Sequence, residues 1–325
     1  MPEKGNAFMN IAVAANGAFT KYLYVMLTSL LEHNTGQNEI CSIYLLSADM
    51  KEEQAEIIKK LVETYGAGFH FIQMDMEKFP KELPSNELIT VETYFRLALP
   101  DLLPLELERA LYLDADMVVL KSLHELYETD FEGKSFVVCK DGTAVSAEHT
   151  ANAKLFADLR GKENFQYFNA GVMLFNLKKL RNTCNFAYFM EQALAHKEEL
   201  VFHDQDLLNY LFWNDVKHVD AAKFNLAART AYNIGYRASW VKEHTAVLHY
   251  AGPKPWRHKE VRYELERFWW DYAKKTPFYT ELLEDMVLPE ISTGYMDQLF
   301  RQLKQENDEL RKIVDQCMNL LKGRM

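Results

Sequence analysis

Short apolar runs alternate with amphipathic segments of helical period through most of this chain, and that alternation limits the fold more than any other feature. "NIAVAAN" (10 to 16) is an apolar run ending on a polar residue. "AFTKYLYVMLTSLLEHN" follows, with Tyr22, Met26, Leu27, Leu30 and Leu31 at helical spacing. "ICSIYLLSA" gives a second strand, Asp49 reads as the cap of a helix in "MKEEQAEIIKKLVETYG", and "FHFIQMD" gives a third strand. Further strands are expected in "RALYLDADMVVL", "SFVVCK", "NAGVMLFN" and "TAVLHYAG", with a helix in "DQDLLNYLF". The alternation predicts an α/β fold, a parallel sheet covered by helices and built through right-handed crossovers. No internal repeat or low-complexity linker breaks it before about residue 275. Residues 8–260 read as one α/β domain and residues 261–325 as a helical C-terminal extension.

Composition removes several classes of function. With 325 residues, 48% of them hydrophobic and 26% charged, the chain can bury a full core. A net charge of -10, with acidic and basic residues mixed along the chain, argues against a nucleic-acid partner, which needs clustered Lys and Arg. Cys41, Cys139, Cys184 and Cys317 lie far apart, so neither a zinc site nor a disulfide framework is indicated. The N-terminus lacks a signal-peptide core, and the run "LYVMLTSLL" is about half the ~20 residues of a membrane span. A cytoplasmic location is expected.

Two aspartates stand inside the most strand-like segment, "LYLDADMVV" (111 to 119). Asp114 and Asp116 have the same parity and would project to the same side of a strand. Ligands of open α/β sheets bind beyond the carboxyl ends of the strands, which puts both carboxylates in the expected site. Two anions so close repel unless a cation lies between them, and carboxylate oxygens suit Mg or Mn. A solvated turn is the alternative, but the resumption of "MVVL" speaks against it. Much later, "VLHYAGPKPW" sets His249 at the end of another strand, then Gly252 in a turn, then Lys254. Glycine permits close backbone approach and lysine offers a point charge, a combination suited to clamping a pyrophosphate. One imidazole beside two carboxylates favours Mn over Mg.

In that order, "VAAN", "TYFRLALP", "RALYLDADMVV", "YFNAGVMLFNLKKLR", "HDQDLLNYLF" and "HYAGPKPW" resemble the retaining glycosyltransferases of family 8, over roughly residues 8–258. The resemblance implies a GT-A fold and Mn-dependent transfer of a hexose, glucose or galactose, from a UDP-sugar to a glycan or glycolipid acceptor. On it, Asp114, Asp116 and His249 match the metal ligands, with Asp114 also near the donor. Lys254 matches the residue holding the diphosphate, with Gly252 on the same loop. Arg96 matches a contact to donor sugar hydroxyls, and Asn169, Ala170 and Gly171 the loop under the sugar. Asp204 and Gln205 match the pair facing the reactive side of the sugar, Ala14, Ala15 and Asn16 fall where uridine is held, and Asp141 matches a donor-side or acceptor-side carboxylate. Two departures stand out. Asn16 and Gly17 replace the aspartates that many members carry after the first strand. The Gly252 to Lys254 spacing is also one residue shorter, enough to shift the lysine by ~3.5 Å.

Read without the family, Arg96 pairs with a core carboxylate, Asn169 and Gly171 form a turn, and Asp204 caps "QDLLNYLF". "DADMV" also resembles the nucleophile motif of haloacid-dehalogenase-type phosphatases, although there the motif follows the first strand. A non-catalytic sugar-nucleotide-binding protein is a third reading. In the extension, Phe268, Trp269 and Trp270 among Arg and Lys suit either a membrane surface or packing over the domain. Beyond them Met296, Leu303, Leu310 and Cys317 alternate with Leu299, Glu306, Ile313 and Leu320 in heptads. That pattern fits a coiled coil joining two chains, a homodimer, and equally a helix folded back on its own domain.

Overall fold

The computed structural model describes residues 8–34, 41–84, 91–143, 153–159, 161–257, 262–291 and 295–322. One compact unit comprises Met1–Pro255 with Arg262–Thr276, and a second comprises Trp256–Val261 with Pro277–Met325. The first unit is built on a seven-stranded sheet. Its strands are β1 (Met9–Ala14), β2 (Cys41–Ser47), β3 (Gly68–Gln73), β4 (Arg109–Leu113), β6 (Phe136–Lys140), β7 (Phe168–Asn176) and β8 (Val216–Val219). Their order is β3-β2-β1-β4-β7-β6-β8. A second sheet, in the order β5-β10-β9, holds β5 (Met117–Val119), β9 (Leu226–Ala227) and β10 (Val247–His249).

Alternate residues of the central strands supply two separate cores, as the two-residue period of a strand requires. Ile11, Val13, Ile43, Leu45, Leu111 and Leu113 face helices α1 (Thr20–Asn34) and α2 (Glu52–Thr64), meeting Leu23, Leu27, Leu30 and Ile58. Ala12, Tyr44, Leu46, Ala110 and Tyr112 face the other way, toward Tyr94, Phe95 and Leu97 of the 3-10 helix Val91–Ala98. Burial on both faces explains why these strands read as unbroken apolar runs.

The expected parallel sheet is mixed. β1, β2, β3 and β4 run parallel, but β7 runs antiparallel to both β4 and β6. An apolar run carries no direction, so sequence could not separate the two arrangements. Asp49 is not a helix cap. Lys51 occupies the N-cap of α2, and Asp49 Oδ1 instead accepts the Gly17 N–H at 2.9 Å.

Trp269 is fully buried, 6.4 Å from the Tyr22 ring, and the Tyr272 hydroxyl lies 2.8 Å from His33. Helix Arg267–Ala273 therefore packs Trp269 and Tyr272 onto α1, in line with the alternative of packing over the domain. In the second unit Tyr295–Lys322 forms one helix, with Leu303, Leu310 and Ile313 exposed. The side chains of Met296, Leu299, Cys317 and Leu320 lie outside the described residues. Among the described residues no helix is long and apolar enough to cross a membrane.

Candidate active site

The segment expected as one strand is two. β4 ends at Leu113, Asp114 to Asp116 turn the chain, and β5 begins in the second sheet at Met117. The "MVVL" run resumes because β5 is itself buried. Ser29 of α1 fixes it, accepting the Val119 N–H at 2.9 Å while donating to Met26 O. Shared parity holds through the turn, since Ala115 enters the α1-side core while Asp114 and Asp116 keep a small exposed fraction. β10 pairs antiparallel with β5, and His249 stands opposite Met117. That register carries an imidazole to a carboxylate 133 residues away, with His249 Nε2 3.0 Å from Asp116 Oδ1.

Lys254 reaches the same carboxylate, its ammonium donating to Asp116 Oδ2 and, at 2.8 Å, to Tyr250 O. The short loop, with Gly252 at a φ of 113° that favours glycine, thus brings the lysine into the site. Burial works against charge on Asp116, but Lys254 and then His249 outweigh it and hold its carboxyl well below the usual range. Asp114 is held from the opposite side by Arg96 Nη2 at 3.2 Å. Arg96 is buried over the Tyr112 ring, its Nε contacting Thr93 O and Asp204 Oδ2, both at 2.9 Å, and its Nη1 donating to Ala170 O. Burial opposes the guanidinium charge, yet Asp114 and Asp204 together raise Arg96 above its ordinary value.

Asp114, Asp116 and His249 present ligand atoms all within 4.8 Å of one another. Gly171 forms the floor of this cluster. A Cβ there would stand 2.5 Å from His249 Cε1 and 2.7 Å from Asp114 Oδ2. β7 is irregular at this point: Val138 pairs with Met173 but Cys139 with Asn169, so the intervening residues bulge, and Asp114 N donates to Gly171 O at 2.9 Å. Bulges beside sites re-aim the backbone, as this one does for Ala170 O and Gly171. Two hard carboxylates and an imidazole around a cradle without a side chain fit a divalent cation of the Mn or Mg kind.

Asn169 and Gln205 form a polar wall beside the cradle. Gln205 Oε1 accepts from Ala170 N at 3.0 Å and Asn169 Nδ2 at 3.2 Å, while its Nε2 donates to Asp141 Oδ2 at 3.3 Å and to the Tyr167 hydroxyl Oη at 3.1 Å. The structure therefore gathers Asn169, Gly171, Gln205 and Asp141 with the cluster. Ala14, Ala15 and Asn16 lie at the carboxyl end of β1, where Asn16 Oδ1 accepts the Phe19 N–H at 3.0 Å. Asp204 is not the cap of its helix. Phe202 occupies the N-cap of His203–Phe212, and Asp204 is buried in the first turn against Arg96. Sequence reasoning missed Asn225, Tyr167 and Asp206. Asn225 Oδ1 lies 2.8 Å from His249 Nδ1, and Tyr167 donates to Asp206 at 2.7 Å.

Burial raises the Asp204 carboxyl to about 6 in spite of Arg96, which pulls it down. Because the folded value exceeds the ordinary one, this group contributes stability below the ordinary aspartate value near 3.8, and that contribution is lost as pH rises through about 6. Wild type should therefore lose on the order of 3 kcal/mol relative to Asp204→Asn between pH 4 and pH 7. Urea denaturation of both proteins across that range measures it, and a pH-independent difference would refute it.

An open α/β sheet with an acidic pair where β4 ends, joined by an imidazole from a second sheet, is the arrangement expected of a GT-A glycosyltransferase from the resemblance to family 8. The family model for glycosyl transferase family 8 matches residues 10–260, and the chain belongs to that family. It is 30% identical over 244 residues to a lipopolysaccharide 1,2-glucosyltransferase of Escherichia coli, covering 71% of this chain and 68% of that one. With a putative glycosyltransferase of Haemophilus influenzae it shares 26% identity over 295 residues, 84% of this chain and 86% of that one. The crystal structure of the galactosyltransferase LgtC in complex with donor and acceptor sugar analogues matches with a TM-score of 0.69 at 25% identity, covering 83% of this chain and 96% of that one. Family membership sets aside the phosphatase reading of Asp114, which follows the fourth strand and not the first.

Proposed function

We propose that this enzyme transfers glucose or galactose from a UDP-sugar to a glycan or glycolipid acceptor of the lipopolysaccharide type, retaining the anomeric configuration, with Mn2+ as its resident cation. The observation that carries the reading is the convergence of Asp114, Asp116 and His249 over the bare backbone of Gly171. The glucosyltransferase and galactosyltransferase relatives support the hexose and the acceptor class.

Such a cation, when bound, supplies Lewis-acid stabilisation of the charge that develops on a departing diphosphate. Lys254, placed at Asp116, offers an ammonium point charge to a phosphate oxygen. Ala14, Ala15 and Asn16 offer backbone and amide groups to the uridine, at the strand end where nucleotides sit in open α/β sheets. Gln205 has its amide fixed by four hydrogen bonds, so its oxygen is oriented in advance beside the sugar position. An amide is a poor nucleophile, and Asp204 is tied to Arg96. Both points favour front-face attack through a short-lived ion pair. The acceptor oxygen bonds to the anomeric carbon on the face the diphosphate leaves, and the acceptor proton passes to the departing phosphate oxygen.

Thermal unfolding in the presence of UDP-glucose, UDP-galactose and other nucleotide sugars, with and without Mn2+, tests the reading. At 100-fold excess over Kd, the correct donor should stabilise the native state by about 2.7 kcal/mol, and only with the cation present. Stabilisation indifferent to Mn2+, or a product of inverted configuration by NMR, would rule the proposal out.

A further inference from the structure

We propose that Asn225 is a positioning residue for the cation site. It keeps a proton on Nδ1 of His249, and so reserves Nε2, on the side of Asp116, for a cation. The inference rests on the reading of Asp114, Asp116 and His249 as cation ligands.

The argument starts from a backbone group whose polarity is fixed. Gly171 N–H can only donate, and it lies 2.9 Å from the Asn169 side chain, so the atom it meets is Oδ1. Asn225 approaches that same oxygen at 2.9 Å, and there it must present Nδ2. Its remaining atom, Oδ1, then faces His249 Nδ1 at 2.8 Å. An amide oxygen cannot donate, so Nδ1 carries the proton. With Nδ1 engaged in this way, Nε2, the nitrogen 3.0 Å from Asp116, is the one left to ligate a cation.

A second backbone group gives the same answer independently. Ala170 N–H donates to Gln205 Oε1, which therefore accepts, and Asn169 Nδ2 lies 3.2 Å from that oxygen and 3.3 Å from Asp141 Oδ2. Asn169 is thus required to point its oxygen at Gly171 and its amino group at two acceptors. No rotation of Asn169 or Asn225 by half a turn satisfies these partners. Topology makes the contact: β9 pairs in parallel with β10, Leu226 against Leu248, so Asn225, just before β9 and buried, stands beside His249.

Two substitutions divide the role. Asn225→Leu removes the acceptor for Nδ1–H. Asn225→Asp keeps that acceptor but sets a carboxylate oxygen against Asn169 Oδ1, which Gly171 holds in place. In the full-length protein with 15N-labelled histidine, long-range 1H–15N NMR should find His249 Nδ1 protonated, both without metal and with Mg2+ as a diamagnetic stand-in. The signal is assigned by its absence in His249→Gln. Mn2+ titrations followed by electron paramagnetic resonance should show Asn225→Leu weakened about 10- to 100-fold, and Asn225→Asp weakened less. An unprotonated Nδ1, Asn225→Leu binding Mn2+ as wild type does, or the two variants weakened alike would overturn the proposal. If Asn225→Leu fails to fold, the wild-type NMR result decides. Wild type that binds no Mn2+ overturns the cation reading itself, whereas wild type that binds beside an indifferent Asn225→Leu overturns this inference alone.

Discussion

Alanine at position 171 is expected to reduce turnover by about a hundredfold or more, the scale on which displacing reacting groups by an ångström acts. One methyl group is enough because the space it would take is already bounded. The new Cβ would stand 2.5 Å from His249 Cε1, 2.7 Å from Asp114 Oδ2 and 3.0 Å from Asn169 Oδ1. None of the three can withdraw freely. His249 is held between Asn225 and Asp116, Asp114 by Arg96, and Asn169 by Gly171, Asn225, Gln205 and Asp141. The crowding should also destabilise the fold by about 1–3 kcal/mol, a lesser loss that leaves folded protein to assay. Steady-state transfer kinetics with a UDP-hexose, alongside Mn2+ titration, give the result. A Gly171→Ala enzyme with wild-type turnover and Mn2+ affinity would show that the cradle is not the reaction site.

The part of this architecture that sequence discloses is the part governed by burial. β1, β2 and β4 are covered on both faces, so each appears as an apolar run, and α1 and α2 appear by their helical period. What burial does not encode is pairing. β4 and β5 read as one strand because apolar residues flank Asp114 and Asp116 on both sides, although the chain changes sheets between them. β7 reads like its neighbours while running against them. The carboxylates and His249 carry their chemistry in their residue types and are legible as candidates. Asn225 is not, because in "KFNLAAR" it resembles any loop asparagine. Its meaning arises only when β9 lies beside β10 and brings it to an imidazole 24 residues further on. Asp204 illustrates the converse. Its position before an apolar helical run suggests a cap, and tertiary contact with Arg96 gives it another role.

That contact underlies the largest expected change in stability. Arg96→Met should destabilise the fold by about 3–5 kcal/mol at pH 7, because deleting one member of a buried ion pair leaves its partner uncompensated. Arg96 has a side chain only 4% exposed and joins Asp114, Asp204 and Ala170 O, which come from three separate segments. Methionine fills much of the volume over Tyr112, so the loss reports on charge more than on a cavity. Two consequences distinguish this cause from a packing defect. Adding Asp204→Asn to Arg96→Met should restore part of the lost stability, since the stranded carboxylate is then neutral. Lowering the pH should do the same without a second substitution. Burial already lifts Asp204 to about 6 against the pull of Arg96, and with that pull gone the carboxyl rises further and takes up its proton sooner. The deficit of Arg96→Met relative to wild type should therefore shrink as pH falls from 7 toward 5. Urea denaturation of wild type, the single variant and the double variant at both pH values measures every arm. A deficit under about 1 kcal/mol, or one that neither acid nor Asp204→Asn relieves, would mean that Arg96 holds the site by shape and not by charge.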